Sequence, residues 1–463
     1  MSRLPFKGFP GFSVMWAGQF VSLIGTSMTR FALTIWAFQT TGSATVLALV
    51  GFFSFAPAVL FSPLAGVLVD RWPRKSVLII SDAGAGFATL ILLILAQTGN
   101  LAIWHLFLAG AIASTFESFQ FPAFSAAITT MVNKEQYART SAMRSVADSA
   151  STIIAPIMAG ILLTSIDLAG IMFIDAVTFV IAMGTLALVH IPRLAKSEVS
   201  AKKQANLKQE ILYGFGYIWR RPSLLGLQLI FTLINLLITM AFILLAPMIL
   251  GATKNSELSL GTVQMAAGIG GLTGGLLLSI WGGPRRKIHG VLFGMICSGL
   301  LGQTLIGFGQ ALWTWALGAF LMMFFFPIVN SSSQAIWQVK VHPSVQGRVF
   351  SVRRLIAQLT APIAMLLAGP LADRLFEPAM MPAGALAPLF GGIIGTAPGS
   401  GIRLIFVITG FLVMIVGALG YAIPVVRDIE TILPDHEPDT QVTEADETGE
   451  HFQESAASAQ LAG

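Results

Sequence analysis

The chain has 463 residues, 55% of them hydrophobic and only 11% charged, with a mean hydropathy of +0.78. That is more apolar surface than a soluble core of this size can bury, which excludes a cytosolic globular or disordered chain and makes the bilayer the natural solvent. The net charge of +5 is not arranged as a basic face interleaved with aromatic platforms, so it gives no argument for nucleic acid.

A helix needs about 20 apolar residues to cross a hydrocarbon core about 30 Å thick. Twelve such stretches follow one another, at 12–38, 43–69, 76–97, 102–130, 139–165, 168–190, 222–250, 257–281, 287–308, 312–339, 345–371 and 402–426. The expected fold class is an all-α membrane protein of twelve transmembrane helices. The first stretch is too long for the apolar region of a signal peptide and runs into Arg30 without a cleavage site, so it should remain as span one.

Between spans two and three lies a charged turn, Gly66-Val67-Leu68-Val69-Asp70-Arg71-Trp72-Pro73-Arg74-Lys75. Gly66 lets a neighbouring helix approach closely. Asp70 can accept from the backbone amides at the start of another helix, span eleven by preference, and can pair with Arg74. A plain topology-setting loop would explain Arg71, Arg74 and Lys75 but not Asp70. The turn is therefore expected to act as a cytoplasmic latch, with Asp82, Arg353 and Arg354 near enough to the same edge to join it.

A charge at a helix centre costs roughly 2.5–3.5 kcal/mol on insertion scales, so intramembrane charges need a purpose. Glu117 lies midway along span four, beside Phe116 and Gln120. A carboxylate among aromatic rings suits a cationic amphipathic ligand and proton exchange. The alternative is a fixed pair with Arg30 of span one, a cation that can itself face the cavity. Arg144 and Asp148 stand four apart on span five and can pair, and with Arg30 they are the further candidates for proton coupling in the cavity. Further along that span, Ser151, Ala155, Pro156, Ala159 and Gly160 offer small residues for tight packing and a proline for a kink. Asp175 of span six is read as a structural cap or pair.

After span six, residues 191–221 are polar and basic. Their last part, Leu207 to Trp219, has apolar residues at helical spacing, which reads equally as a surface helix or as an extension of span seven. In the second half, Asn235 of span seven and Asn330 and Gln334 of span ten are too polar for lipid and are expected, with Phe116 and Gln120, to line a substrate cavity. Residues 434–463 are acidic and poor in large apolar groups, which predicts a disordered tail.

Counted over alternate loops with the N-terminus inside, 20 Lys and Arg fall inside and 3 outside, which places both termini in the cytoplasm. The single cysteine, Cys297, permits no intrachain disulfide. The six His are scattered, and neither a metal-binding motif nor a phosphate-binding Gly-x-x-x-x-Gly-Lys loop is present, so neither an enzyme, a metal site nor a cofactor is expected. A shift of 209 positions brings Arg139 onto Arg348, Arg144 onto Arg353 and Ala159-Gly160 onto Ala368-Gly369. A shift of 211 brings Pro73-Arg74-Lys75 onto Pro284-Arg285-Arg286. These matches favour two parallel repeats: a bundle at 1–190, a cytoplasmic loop with an amphipathic helix at 191–221, a second bundle at 222–433 and the tail at 434–463.

On Gly66, Leu68, Asp70, Arg71, Arg74 and Lys75 the sequence resembles the major facilitator superfamily, whose loop between helices two and three carries a Gly-x-Leu-Ala-Asp-Arg-x-Gly-Arg-Lys signature. Asp-Arg-Trp-Pro-Arg-Lys is similar to the form used in its macrolide-efflux branch, and Ser151 to Gly160 resemble a degenerate antiporter signature. The resemblance implies a secondary transporter working by alternating access, with the latch closed in the outward-facing state. It further implies proton-coupled efflux of an amphipathic drug such as a macrolide. A siderophore exporter and a lipid or lysolipid mover are the alternatives. The partners implied are a small-molecule substrate, protons and membrane lipids, around a monomer in a bacterial cytoplasmic membrane.

Overall fold

The computed structural model describes residues 6–133, 136–192, 207–342 and 345–435. It is all helical among them apart from an isolated bridge between Phe6 and Val189. The expected tail, but for its first two residues, and residues 193–206 of the central loop lie outside the described residues. The elements are α1 (Gly8–Thr41), α2 (Ala44–Arg71), α3 (Arg74–Gln97), α4 (Ile103–Met131), α5 (Tyr137–Leu188), α6 (Leu207–Trp219), α7 (Pro222–Ala252), α8 (Glu257–Trp281), α9 (Lys287–Cys297), α10 (Thr304–Phe308), α11 (Leu312–Lys340), α12 (Gln346–Pro370), α13 (Glu377–Met380), α14 (Ala387–Ile394), α15 (Ser400–Ala422), α16 (Pro424–Arg427) and α17 (Ile429–Ile432).

Ten helical stretches are long and apolar enough to cross a bilayer. One of them, Arg139–Leu188, has 50 residues, which at 1.5 Å per residue is about twice the bilayer thickness. Asp167, at φ 57° and ψ 180°, breaks it into two spans where the sequence places the turn between spans five and six. Helix α4, with 29 residues, is long enough but is diluted by His105, Glu117 and Gln120. Span nine is built from α9, a π-helical turn at Ser298–Gln303 and α10. The twelve stretches read from the sequence are thus all accounted for.

The turn between α1 and α2 shows how local residues set the path. Gly42 takes φ 63° to close α1, a left-handed conformation that costs glycine little. Ser43 then caps α2, its hydroxyl accepting from the Val46 amide at 3.3 Å.

Two ends can be distinguished. The basic end carries the α2–α3 turn and the Arg285-Arg286 turn before α9. The far end carries the α1–α2 turn and the α7–α8 turn. One large buried cluster joins the chain's first and second halves at the far end, bringing Phe38, Leu47, Ala155 and Ala159 together with Leu244, Met248, Leu260 and Ala368. Toward the basic end the core is divided in two. Phe12, Leu78, Ala127 and Leu186 form one cluster, while Leu227, Val291, Trp337 and Val352 form another.

Candidate transport cavity

A cavity of about 540 Å³ is set chiefly in the first half, sharing Leu33, Leu47, Leu92, Leu106 and Ala246 with the far-end cluster. Its wall draws on α1, α2, α3, α4 and the second part of α5, and from the second half on Phe242, Ile243, Ala246, Gln264 and Met365. A smaller space of about 230 Å³ adjoins it on the side of Trp16, Phe20, Phe121, Phe124 and Arg144, sharing Gln19, Leu23, Glu117 and Gln120. The volume is that of a drug-sized site.

Three carboxylates and one guanidinium are set in the first-half wall: Asp82, Glu117, Asp175 and Arg30. Arg30 and Glu117 form an ion pair between α1 and α4. The two side chains are 56% and 31% exposed, so the pair is screened and contributes little to stability. An incoming cation or proton can replace one partner at small cost. Asp82, 8% exposed, is held differently, accepting from the amides of Gln19 at 2.6 Å and Gln120 at 2.7 Å. Asp175, 2% exposed, accepts from the Thr26 hydroxyl at 3.0 Å. Its second oxygen and the Thr29 hydroxyl are buried without a hydrogen-bond partner.

The expected site residues fall into three groups. Glu117, Arg30, Gln120, Arg144 and Asp148 all line the joined cavity. Arg144 reaches Asp148 at 4.0 Å and lies 4.5 Å over the Phe121 ring. A second group is elsewhere. Phe116, expected on the wall, turns away and packs its ring against Gly84 of α3, where there is no side chain to obstruct it. Asn330 donates to the Phe326 carbonyl of its own helix at 3.1 Å. Gln334 accepts from Arg353 at 2.7 Å. Together with Asn235, these two lie outside both cavities. Arg353 also donates to Ser333 at 3.0 Å and lies 5.2 Å over Trp337. It is thus bound inside the second half, and Asp82 inside the cavity wall, so neither joins a latch here. Arg354 lies 5.6 Å over the Phe121 ring of the first half.

The third group holds the two halves or the first bundle together. Arg74 donates to the Ala126 carbonyl at 2.5 Å, and Lys75 donates to the carbonyls of Ala187 and Val189 at 2.7 and 2.8 Å. In this conformation Lys75 caps the end of α5 and Arg74 binds a carbonyl of α4, both within their own half. Helix α2 is described through Gly66, Asp70 and Arg71, but the packing at Gly66 and the side chains of Asp70 and Arg71 are not. The proline motif sits where α5 meets α8: Ala155 and Ala159 are fully buried, as is Ser151 nearly so at 4%. A methyl group on Gly261 would lie 2.9 Å from the Pro156 carbonyl, and one on Gly160 would lie 3.2 Å from that of Glu257. Small residues on both helices thus bring two backbones into contact.

Sequence reading placed Asp82 at the latch and Asp175 in a purely structural role, and so missed both as cavity residues. Their partners are 63 and 149 positions away in the chain, beyond the reach of any local pattern. The available signal was their type alone, a carboxylate within an apolar stretch.

Residues 15–365 match the family model described as Major Facilitator Superfamily. The chain is 31% identical over 374 residues to macrolide efflux protein A of Streptococcus pyogenes, covering 79% of this chain and 90% of that protein. It is 30% identical over 334 residues to the protein of the same name from Enterococcus faecalis, covering 70% of this chain and all of that one. Among solved structures, a bacterial homologue of the human lysosomal transporter Spinster, in an inward-facing and unoccupied conformation, superposes with a TM-score of 0.67 at 16% identity, covering 92% of this chain and 99% of that one.

Proposed function

The chain belongs to the major facilitator superfamily, and from that premise we propose that this secondary transporter exports amphipathic organic cations, macrolides among them, in exchange for protons. The observation that carries the reading is the Arg30–Glu117 pair, half exposed on the wall of a drug-sized cavity. Macrolide efflux proteins among its relatives support the substrate class.

In this reading the two six-helix bundles, residues 1–190 and 222–433, rock about the cavity in a bacterial cytoplasmic membrane. Both termini and the basic end face the cytoplasm. A substrate cation entering from that side takes the place of Arg30 beside Glu117. Protonation of Glu117 from the opposite side removes the negative charge and releases the substrate. The exposed pair suits this exchange because neither partner is held by burial. A membrane potential adds about 2.3 kcal/mol per charge for each 100 mV. Gln120, one helical turn from Glu117, donates to Asp82 of α3 and so orients the wall beside it.

The test is reconstitution in liposomes with an imposed proton gradient. Addition of a macrolide or a lipophilic cation is expected to dissipate the gradient through the wild-type protein. Glu117→Gln is expected to abolish that flux while retaining wild-type folding. Normal coupled flux in the variant would rule out Glu117 as the proton carrier, and no flux with any cation in the wild type would rule out the drug assignment.

A further inference from the structure

The residue that ties the far end of α12 to α2 is Asp373, in the π-helical turn Leu371–Phe376 that follows Pro370. Its carboxylate accepts from the Ser43 hydroxyl at 2.6 Å, the Ala44 amide at 3.0 Å and the Thr45 amide at 2.8 Å. These are the first donors of α2, which have no carbonyl partner within that helix, and an anion is favoured there. One turn earlier Gly369 lies against the Thr45 backbone, in space a side chain could not share. Other carboxylates cap helix starts within their own half. Glu377 accepts from Gly399 and Ile402 at 3.2 and 3.0 Å, and Glu430 from Lys287 and Ile288, both at 3.0 Å. Asp373 instead reaches across between the halves.

The local sequence repeats a pattern met earlier. Gly369-Pro370-Leu371-Ala372-Asp373-Arg374 and Gly66-Val67-Leu68-Val69-Asp70-Arg71 share Gly-x-Leu-x-Asp-Arg. The two copies do not occupy equivalent places in the internal repeat, because α2 corresponds to α8 and not to α12. Helices α2 and α12 are packed against each other and run in opposite directions. The motif at the C-terminal end of α12 meets the N-terminal end of α2 at the far end. Because the two helices are antiparallel, the C-terminal end of α2 and the start of α12 both belong to the basic end.

We propose that Asp373 is a counter-latch, a reciprocal copy of the Asp70 motif that holds the far mouth shut while the basic mouth is open. The two helices then carry one latch at each end, and rocking the bundles exchanges one set of charge-assisted hydrogen bonds for the other. Such an exchange keeps the two states close in energy, whereas a single latch would bias the protein toward one of them. The inference rests on the alternating-access part of the reading above and is independent of the substrate and of Glu117.

The experiment uses the full chain in right-side-out membrane vesicles, with Cys297 replaced by Ser. Two single reporters are introduced separately: Val50→Cys on the far side of the cavity and Leu23→Cys toward the basic side. A membrane-impermeant maleimide is applied from the far face for the first and from the basic face, in inverted vesicles, for the second. Asp373→Ala is expected to raise the labelling rate of Val50→Cys about tenfold and to lower that of Leu23→Cys. Ser43→Ala, which removes one hydroxyl and leaves the carboxylate, is expected to do the same by about threefold. Asp70→Ala is expected to act in the opposite direction on both reporters. A merely structural role for Asp373 would loosen the protein and raise labelling from both faces. That result, or wild-type rates in Ser43→Ala and in folded Asp373→Ala, would overturn the proposal. If Asp373→Ala does not fold, Ser43→Ala alone decides. No substrate is added, so the outcome stands apart from the drug-transport test.

Discussion

The far end and the basic end of this molecule are built from the same kinds of helix yet packed in opposite ways. At the far end one buried cluster runs from Phe38 and Ala159 to Met248 and Ala368, glycines bring α5 onto α8, and Gln39 donates to Glu257 across the halves at 2.7 Å. Toward the basic end each half keeps its own core, and Arg74 and Lys75 bind carbonyls of their own bundle. The contrast teaches where the conformational equilibrium is decided. Backbone contact through small residues and a few polar ties seal one mouth, while the rigid parts of each bundle are left unchanged.

The largest effect should come from breaking the seal sterically. Gly261→Val places a side chain against the Pro156 carbonyl, where backbone must give way. Overpacking of that kind costs about 1–3 kcal/mol. It should increase far-side labelling of Val50→Cys at least tenfold, and an unchanged rate would show that the α5–α8 contact does not close the mouth.

A smaller effect is expected in the cavity between the two ends. Arg30→Ala leaves Glu117 without its cation, so a lipophilic cation should bind several-fold more tightly near neutral pH in a direct binding measurement. Weaker binding would mean that Arg30 contacts the substrate itself. The smallest effect belongs to the basic end. Lys75→Gln removes charged contacts to the end of α5, worth about 0.3–1 kcal/mol. It should lower Tm by about 1 °C or less and leave labelling from both faces alone. A change in labelling would instead make Lys75 part of the gate.

What could be read from the chain follows the same division. Hydropathy located the spans because lipid contact imposes it along the whole length of a helix, and the Ser151 to Gly160 spacing pointed to the tight helix that seals the far end. The line of the cavity was less legible. Phe116 and Gln120 are one turn apart, yet Gln120 faces the cavity and Phe116 fills the space beside Gly84. Which of two such residues faces inward depends on helix tilt and on the neighbouring helix, neither of which is encoded locally. Asn235, Asn330 and Gln334 are polar for the same reason as true cavity residues, and hydropathy does not distinguish a side chain that bonds to its own helix or to Arg353 from one facing water. Asp373 was legible as a second Gly-x-Leu-x-Asp-Arg, but a search for equivalent positions in two parallel repeats passes over it.

The two ends are expected to exchange their packing during turnover. The most direct measurement places spin-label pairs at Thr40 with Leu258 on the far end, and at Ser76 with Leu212 on the basic end, in the Cys297→Ser background. Without substrate the far pair should show one short distance and the basic pair a longer one. Under conditions that drive turnover, with substrate and a proton gradient, the far distance should lengthen as the basic distance shortens, in matching proportions of the population. Distances that stay fixed, or that lengthen together, would contradict the account.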